Sequence, residues 1–296
     1  MSVETIYPYR HSGKFNPLGP IAAIAAAFVV SLPLGWAYAY LMRWIPFIYL
    51  NVLITVGYGF AFGFLAAWVL KTAKARNNTI VALTAFFVGL CALYGAWNGA
   101  MHALLDEAPL IAPPATLWAF MKLLYHVGSW SMHGGDNVTG IILAIVWIIE
   151  AGIIMGLAVS TAYGSIAGTP FCETNLCWLD QKRTLDTLAP FTDATQLAQL
   201  KAGDINPLLD GKPREASNPD HARVTLRYSP RCDTFCTMEL ENVSVTKNTK
   251  GETKETKTAL TRMLVLPHAM RELVEKFATF EAVPAANATT VAATTQ

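Results

Sequence analysis

Apolar positions in the first half of the chain fall into four long uninterrupted stretches, residues 21–42, 45–70, 80–101 and 138–163. A helix rises about 1.5 Å per residue, so about 20 apolar residues cross the hydrocarbon core of a bilayer. All four stretches reach that length, which predicts a membrane all-α four-helix bundle. Only Arg43 and Trp44 separate the first two, so these should form a tight hairpin, with Pro46 at the start of the second helix where its missing N–H costs nothing. Pro33 lies inside the first helix and predicts a kink.

Past residue 163 the periodicity changes. Val224, Leu226 and Tyr228 alternate with Arg223, Thr225 and Arg227, the pattern of a half-buried strand, and Met238 and Leu240 begin another. The phase slips between Leu240 and Val243, which suggests a bulge near Asn242. Asn248 to Gly251 looks like the turn into a third strand ending at Leu266. Residues 180–188 and 193–201 look helical, and 211–220 reads as a polar loop. Pro267 is expected to open a final helix with Met270, Leu273, Val274, Phe277 and Phe280 on one face. The Ala/Thr/Asn-rich end lacks core formers and predicts disorder. The expected organisation is an N-terminal segment (1–20), a transmembrane domain (21–164) with an outer loop (102–137), a small α+β domain (165–282) and a tail (283–296).

Composition agrees with this division. Charged residues make up 15% of the chain, against about 25% in an average soluble protein, and between Ile45 and Leu70 there are none. The net charge of +1 shows no concentrated basic face, so nucleic acid is excluded as a partner class. The first apolar run is long and has no clean small-residue cleavage site, so it reads as a retained helix and not a signal peptide. Arg10, Lys14, Lys71, Lys74, Arg76, Lys182 and Arg183 fall on one side of the bundle, and only Arg43 and Lys122 on the other. Positive residues favour the cytoplasmic side, so both termini and the α+β domain are expected in the cytoplasm. The absence of targeting motifs is consistent with a bacterial inner membrane.

Three of the four helices carry Gly-x-x-x-Gly pairs: Gly59 with Gly63, Gly95 with Gly99, and Gly152 with Gly156. Small residues let helices approach closely in lipid, so these support a compact bundle and leave homo-oligomerisation open. Glu150 stands in the middle of the fourth helix, where a charged carboxylate costs at least about 2.5 kcal/mol. It must be neutral, paired or hydrated, and Ser31, Tyr58, Tyr94 and Asn98 are its expected partners. One reading is a protonated Glu that joins two helices; the other is a proton or ion relay.

In the outer loop, residues 116–126 are apolar nearly all round but too short to span, which suits a helix lying in the outer interface or re-entering it, with Trp118, Tyr125 and Trp130 at headgroup level. His102, Asp106, His126, His133 and Asp136 could in principle hold a metal, but their spacing matches no ligand motif and ordinary interfacial histidines are the better reading.

The cysteines carry the clearest chemistry. Cys91 reads as a small apolar filler in the third helix. The others form two close pairs, Cys172 with Cys177 and Cys232 with Cys236, the second at the expected tip of a β-hairpin. In a reducing cytoplasm these should not be structural disulfides, and paired thiolates suit a tetrahedral zinc site. A redox-active thiol pair and free cysteines are the alternatives. Locally the pairs and their hairpin resemble the zinc-ribbon or treble-clef class, which implies a structural zinc. They depart from it in lacking a Cys-x-x-Cys and in the 54 residues between pairs.

No Walker loop, dinucleotide fingerprint, nucleophile elbow or zincin motif is present, so nothing supports an enzyme. The expected function is an integral membrane anchor or scaffold presenting a zinc-stabilised cytoplasmic domain to a protein partner. The alternative is a small membrane transporter, or a proton- or ion-coupled component, that uses Glu150.

Overall fold

The computed structural model describes residues 6–45, 47–105, 108–109, 111–128, 137–202, 204–215, 218–247, 252–268 and 270–279. The chain separates into two compact units: residues 12–168, and residues up to 11 together with those from 169 onward. The first described element, the short strand β1 (Tyr7–Pro8), therefore belongs to the second unit.

The first unit holds α1 (Leu18–Trp44), α2 (Ile48–Thr72), α3 (Asn78–Leu104), the shorter α4 (Pro114–Val127) and α5 (Gly140–Ala167). Among the described residues α1, α2, α3 and α5 are long and apolar enough to cross a membrane, so the unit fits a membrane helical bundle. Exposed Phe64, Trp68, Ile148 and Ile149 suit contact with lipid. The α1 helix runs on through Pro33 without a break, whereas Pro46 lies outside the described residues. The Asn77 side chain caps α3 by accepting from the N–H groups of Thr79 and Ile80, both at 3.1 Å.

Two of the three glycine pairs do the packing. A Cβ at Gly35, Gly95 or Gly99 would collide with backbone, because Gly95 lies against Ser31 and Gly99 against Gly35 where α1 crosses α3. Gly59 and Gly63 meet Ile154, Leu157 and Thr161 of α5 in the same manner. The third pair departs from expectation: nothing lies within 4 Å of a Cβ at Gly152 or Gly156, so this pair faces out of the unit.

The short helix expected in the outer loop is present as α4 and is more amphipathic than its sequence implied. Leu117, Phe120 and Leu124 pack inward with Met101, while Trp118, Leu123 and Val127 stay exposed. The chain ahead of it is pinned into the bundle. Tyr94 donates from its hydroxyl to the carbonyl of Ala112 (2.8 Å), and the Ala112 N–H donates to Asn98 Oδ1 (2.7 Å). Trp130 lies outside the described residues.

The second unit continues with β2 (Phe171–Cys172), β3 (Cys177–Trp178), β4 (Gln181–Leu188), α6 (Ala194–Ala202), α7 (Asn206–Leu209), β5 (His221–Tyr228), β6 (Phe235–Lys247), β7 (Thr253–Ala259), β8 (Leu264–Pro267) and α8 (Met270–Thr279). The main sheet is antiparallel in the order β1-β8-β6-β5-β4, with β7 also on β6, and β2 and β3 form a separate ribbon. Strand β6 is 13 residues long and changes partner along its length: residues 235–238 pair with β8 and residues 241–247 with β7. At the handover the Leu240 N–H donates to Thr261 Oγ1 at 3.0 Å.

Several expectations are corrected here. Of the expected helix 180–188, residues 181–188 form strand β4 instead. Leu185 and Leu188 are both buried, and their spacing of three mimics a helical face. A register shift between them in β4 is what lets both reach the core from a strand. That irregularity is not at Asn242, where the β5–β6 register is continuous; there the Asn242 side chain bonds the backbone of Phe191 at 3.1 and 2.7 Å. The segment expected as one strand up to Leu266 is two, β7 and β8. Pro267 closes β8 opposite Phe235 instead of opening the last helix. Residues 193–201 do form a helix, α6, capped by Asp193 Oδ1. The 248–251 turn, the Leu273 and Phe277 side chains, Phe280 and the tail lie outside what the structure describes. The core joins Leu200, Leu208, Leu226, Met238 and Leu266 to Val274 and Ala278 of α8.

Gly95→Leu should lower the stability of the purified protein by at least about 2 kcal/mol through overpacking at α1–α3. Gly152→Leu should leave it nearly unchanged. Thermal unfolding in detergent measures both.

Candidate metal centre

Cys172 and Cys177 stand directly opposite each other in the β2–β3 ribbon. The four residues between them turn back through Leu176, whose backbone takes the left-handed region (φ 50°) that non-glycine residues seldom adopt. Cys232 comes from the β5–β6 connection, where its N–H donates to the Ser229 carbonyl at 3.0 Å. The three Sγ atoms lie within 4.8 Å of one another, and all three residues are buried. Thiolates on one tetrahedral zinc stand roughly 3.8 Å apart, given a Zn–S bond of about 2.3 Å. A contraction of about an ångström therefore suffices for three-point ligation. None of the three is in a disulfide.

Polar groups surround the sulfurs. Thr234 Oγ1 lies 3.3 Å from both Cys172 Sγ and Cys232 Sγ, bridging them. The Asn175 N–H donates to Cys172 Sγ at 3.4 Å, and Asn175 Nδ2 donates to Asp233 at 3.1 Å, tying the ribbon turn to the β5–β6 connection. Leu179 and Phe235 complete a small apolar cluster apart from the main core. Burial pushes the Cys172 and Cys177 thiols above the ordinary range. At Cys232 burial acts the same way, but hydrogen bonds to Thr234, Cys172 and the Phe235 backbone outweigh it and hold the thiol below that range.

Cys236 is not brought to this group. It is the second residue of β6, pairs with Leu266, and its side chain joins the main core beside Leu226 and Met238. Burial there pushes its thiol up to about 12. The loop position of Cys232 and the strand position of Cys236 explain the split: residues four apart at a strand entrance reach different cores. The donor set is thus three soft sulfurs, with Thr234 Oγ1 and Asn175 Oδ1 beside them, the latter also 3.3 Å from Cys172 Sγ.

The N-terminal segment buttresses the ribbon, a role with little signal in the sequence beyond Tyr7 and Tyr9 flanking Pro8. Tyr9 Oη accepts from the Phe171 N–H at 2.8 Å and its ring stacks on Phe235. His11 packs between Tyr9 and Trp178.

The other candidate residues go elsewhere. His102 Nδ1 is 3.3 Å from Tyr40 Oη and its ring lies over Trp36, while His126 packs edge-on against Tyr125. Asp106, His133 and Asp136 are outside the described residues. None of the four partners expected for Glu150 bonds to it. Ser31 donates to the Phe28 carbonyl, Tyr58 to the Ala92 carbonyl, Tyr94 to Ala112 and Asn98 to the Tyr94 carbonyl. Glu150 instead accepts from the Tyr38 hydroxyl.

No family model matches the chain, and neither a curated protein nor a solved structure matches it.

Tyr9→Phe should cost about 1–2 kcal/mol, because it leaves the Phe171 N–H without its acceptor. Chemical denaturation of the purified chain, compared with wild type, would measure the loss.

Proposed function

We propose that this protein is an integral membrane anchor that presents a zinc-stabilised α+β domain to a protein partner on the cytoplasmic face. The single observation that carries the reading is the group of three buried thiols drawn from two segments distant in the chain. Soft thiolates suit zinc among the common divalent ions, and a buried set drawn from two segments would hold those segments together as a clasp. Bound zinc would join the ribbon at Cys172 and Cys177 to the β5–β6 connection at Cys232.

Two further observations support the reading. Pairing of β1 with β8 binds residues just before α1 into the same sheet as residues after α5, so both ends of the bundle belong on one side of the membrane. The Lys/Arg distribution supports the cytoplasmic side for them. Strand β7 is exposed along its whole length and among the described residues pairs only with β6, so it offers a strand edge to an extended segment of a partner.

Metal analysis of the full chain purified in detergent tests the proposal. One zinc per chain is expected, lost in Cys172→Ser and Cys232→Ser and retained in Cys236→Ser. Removing the metal with a chelator should lower the unfolding temperature of the sheet domain and leave that of Cys232→Ser unmoved. A wild-type chain that binds no zinc, or one whose zinc survives Cys232→Ser, would refute the clasp.

A further inference from the structure

The open edges of the main sheet are not alike. Strand β1 is two residues long and contains Pro8. Strand β4 carries a register shift between Leu185 and Leu188, and Leu188 is bridged to Pro213. Short strands, proline and bulges keep a sheet edge from recruiting another chain. Strand β7 has none of them: its register on β6 runs unbroken from Thr253 to Ala259, and every residue of it is exposed.

The ladder fixes which backbone groups of β7 are open. The Leu260 N–H donates to the Leu240 carbonyl at 2.8 Å, which makes these two a hydrogen-bonded pair just past the end of β7. Hydrogen-bonded and non-hydrogen-bonded pairs alternate along an antiparallel ladder. Lys254, Thr256 and Thr258 therefore turn their N–H and C=O groups to β6, and those of Thr253, Glu255, Lys257 and Ala259 point away from the sheet.

A second β7, laid antiparallel against this edge, must set the outward residues opposite their own counterparts. When the copies overlap from Thr253 to Ala259, Glu255 of each faces Lys257 of the other, and Thr256 faces Thr256. The next allowed slide in one direction sets Glu255 against Glu255, and in the other Lys257 against Lys257. Opposite charges across a strand pair attract and like charges repel, so the register of full overlap is also the one with matched charges. Lysines on an edge ordinarily discourage pairing, but here Lys257 meets Glu255 and Lys254 meets Thr258. Glu255 touches Arg223 at 3.5 Å yet its side chain stays 45% exposed, which leaves carboxylate lone pairs for Lys257 of the second copy.

We infer that β7 is a homodimer interface, in which two copies of this chain join their main sheets through antiparallel β7 strands centred on Thr256. This names a second copy as the occupant of the edge that the proposed function offers to a partner; it rests on that use of β7 and not on the zinc. Antiparallel pairing of one strand with itself is two-fold symmetric, so the assembly closes at the dimer. A lone polar strand pair is marginal in water, and two copies anchored in one membrane meet at a raised effective concentration.

Disulfide trapping of the full chain in lipid vesicles tests this. The two Thr256 residues form a non-hydrogen-bonded pair, whose Cα atoms stand about 4.5 Å apart, within disulfide reach. Under mild oxidation Thr256→Cys should be trapped as a dimer several-fold faster than Thr258→Cys, whose position lies opposite Lys254. Adding Glu255→Lys or Lys257→Glu to Thr256→Cys sets like charges face to face and should slow trapping about tenfold. Reconstituting those two variants together restores opposite charges across the strands, so mixed dimers should form about as fast as with Thr256→Cys alone. Trapping no faster at Thr256 than at Thr258, a rate indifferent to charge reversal, or no recovery on mixing would overturn the interface. Zinc content of the same samples, measured before oxidation, separates the two readings. A chain that holds zinc but is not trapped refutes the dimer alone, and one trapped without zinc refutes the clasp alone.

Discussion

Hydrocarbon offers no hydrogen bonds, and that constraint governs the larger part of this molecule. Every peptide group within it must be satisfied by the protein, so the spanning segments are helices. Lipid tails also remove most of the hydrophobic drive between those helices, and close approach has to supply the attraction. Gly35, Gly95 and Gly99 supply it by letting the backbones of α1 and α3 touch. The same constraint explains Asn98 and Tyr94: where the chain returns into the bundle as non-helical backbone, these side chains satisfy both polar groups of Ala112.

The second unit meets a different problem. Its ribbon of β2 and β3 is too short to be stable alone, since two-stranded hairpins are marginal in water. Its cluster of Cys172, Cys177, Leu179 and Cys232 is also too small to be a core on the scale of the sheet's. The proposed zinc clasp between Cys177 and Cys232, with 54 residues between them, would remove much of the freedom of that loop in the unfolded chain. The N-terminal strand adds a second restraint, because Tyr9 bonds Phe171 beside Cys172. The Tyr9 bond and the Cys172 and Cys177 members of the cysteine group both fall on the few residues that follow α5 in the chain.

Legibility varied with the range of the interaction concerned. The four spans, the α4 helix, α6 with its Asp193 cap, and strands β5 and β6 rest on local periodicity, and their outlines could be read in advance. Residues 180–188 could not, because a register shift that places Leu185 and Leu188 on one face produces a helical spacing in a strand. Three of the four cysteines were brought together, but the separation of Cys236 depends on where β6 begins relative to the loop, a boundary of two or three residues.

By itself the sequence determined which parts of the chain lie in an apolar solvent, that Glu150 stands alone among them as an acid, and that the cysteines outside the bundle come in close pairs. Each of these follows from residue type and spacing over a few turns. Only the tertiary structure decided that Gly95 touches α1 while Gly152 faces out, that Tyr38 rather than Tyr58 holds Glu150, and that Tyr7 and Pro8 join the main sheet. These depend on the rotation of one helix about its axis, or on strand pairing across more than 250 residues, and a hydrophobic pattern fixes neither. Its period identifies an element and the face it buries, but not which neighbour meets that face.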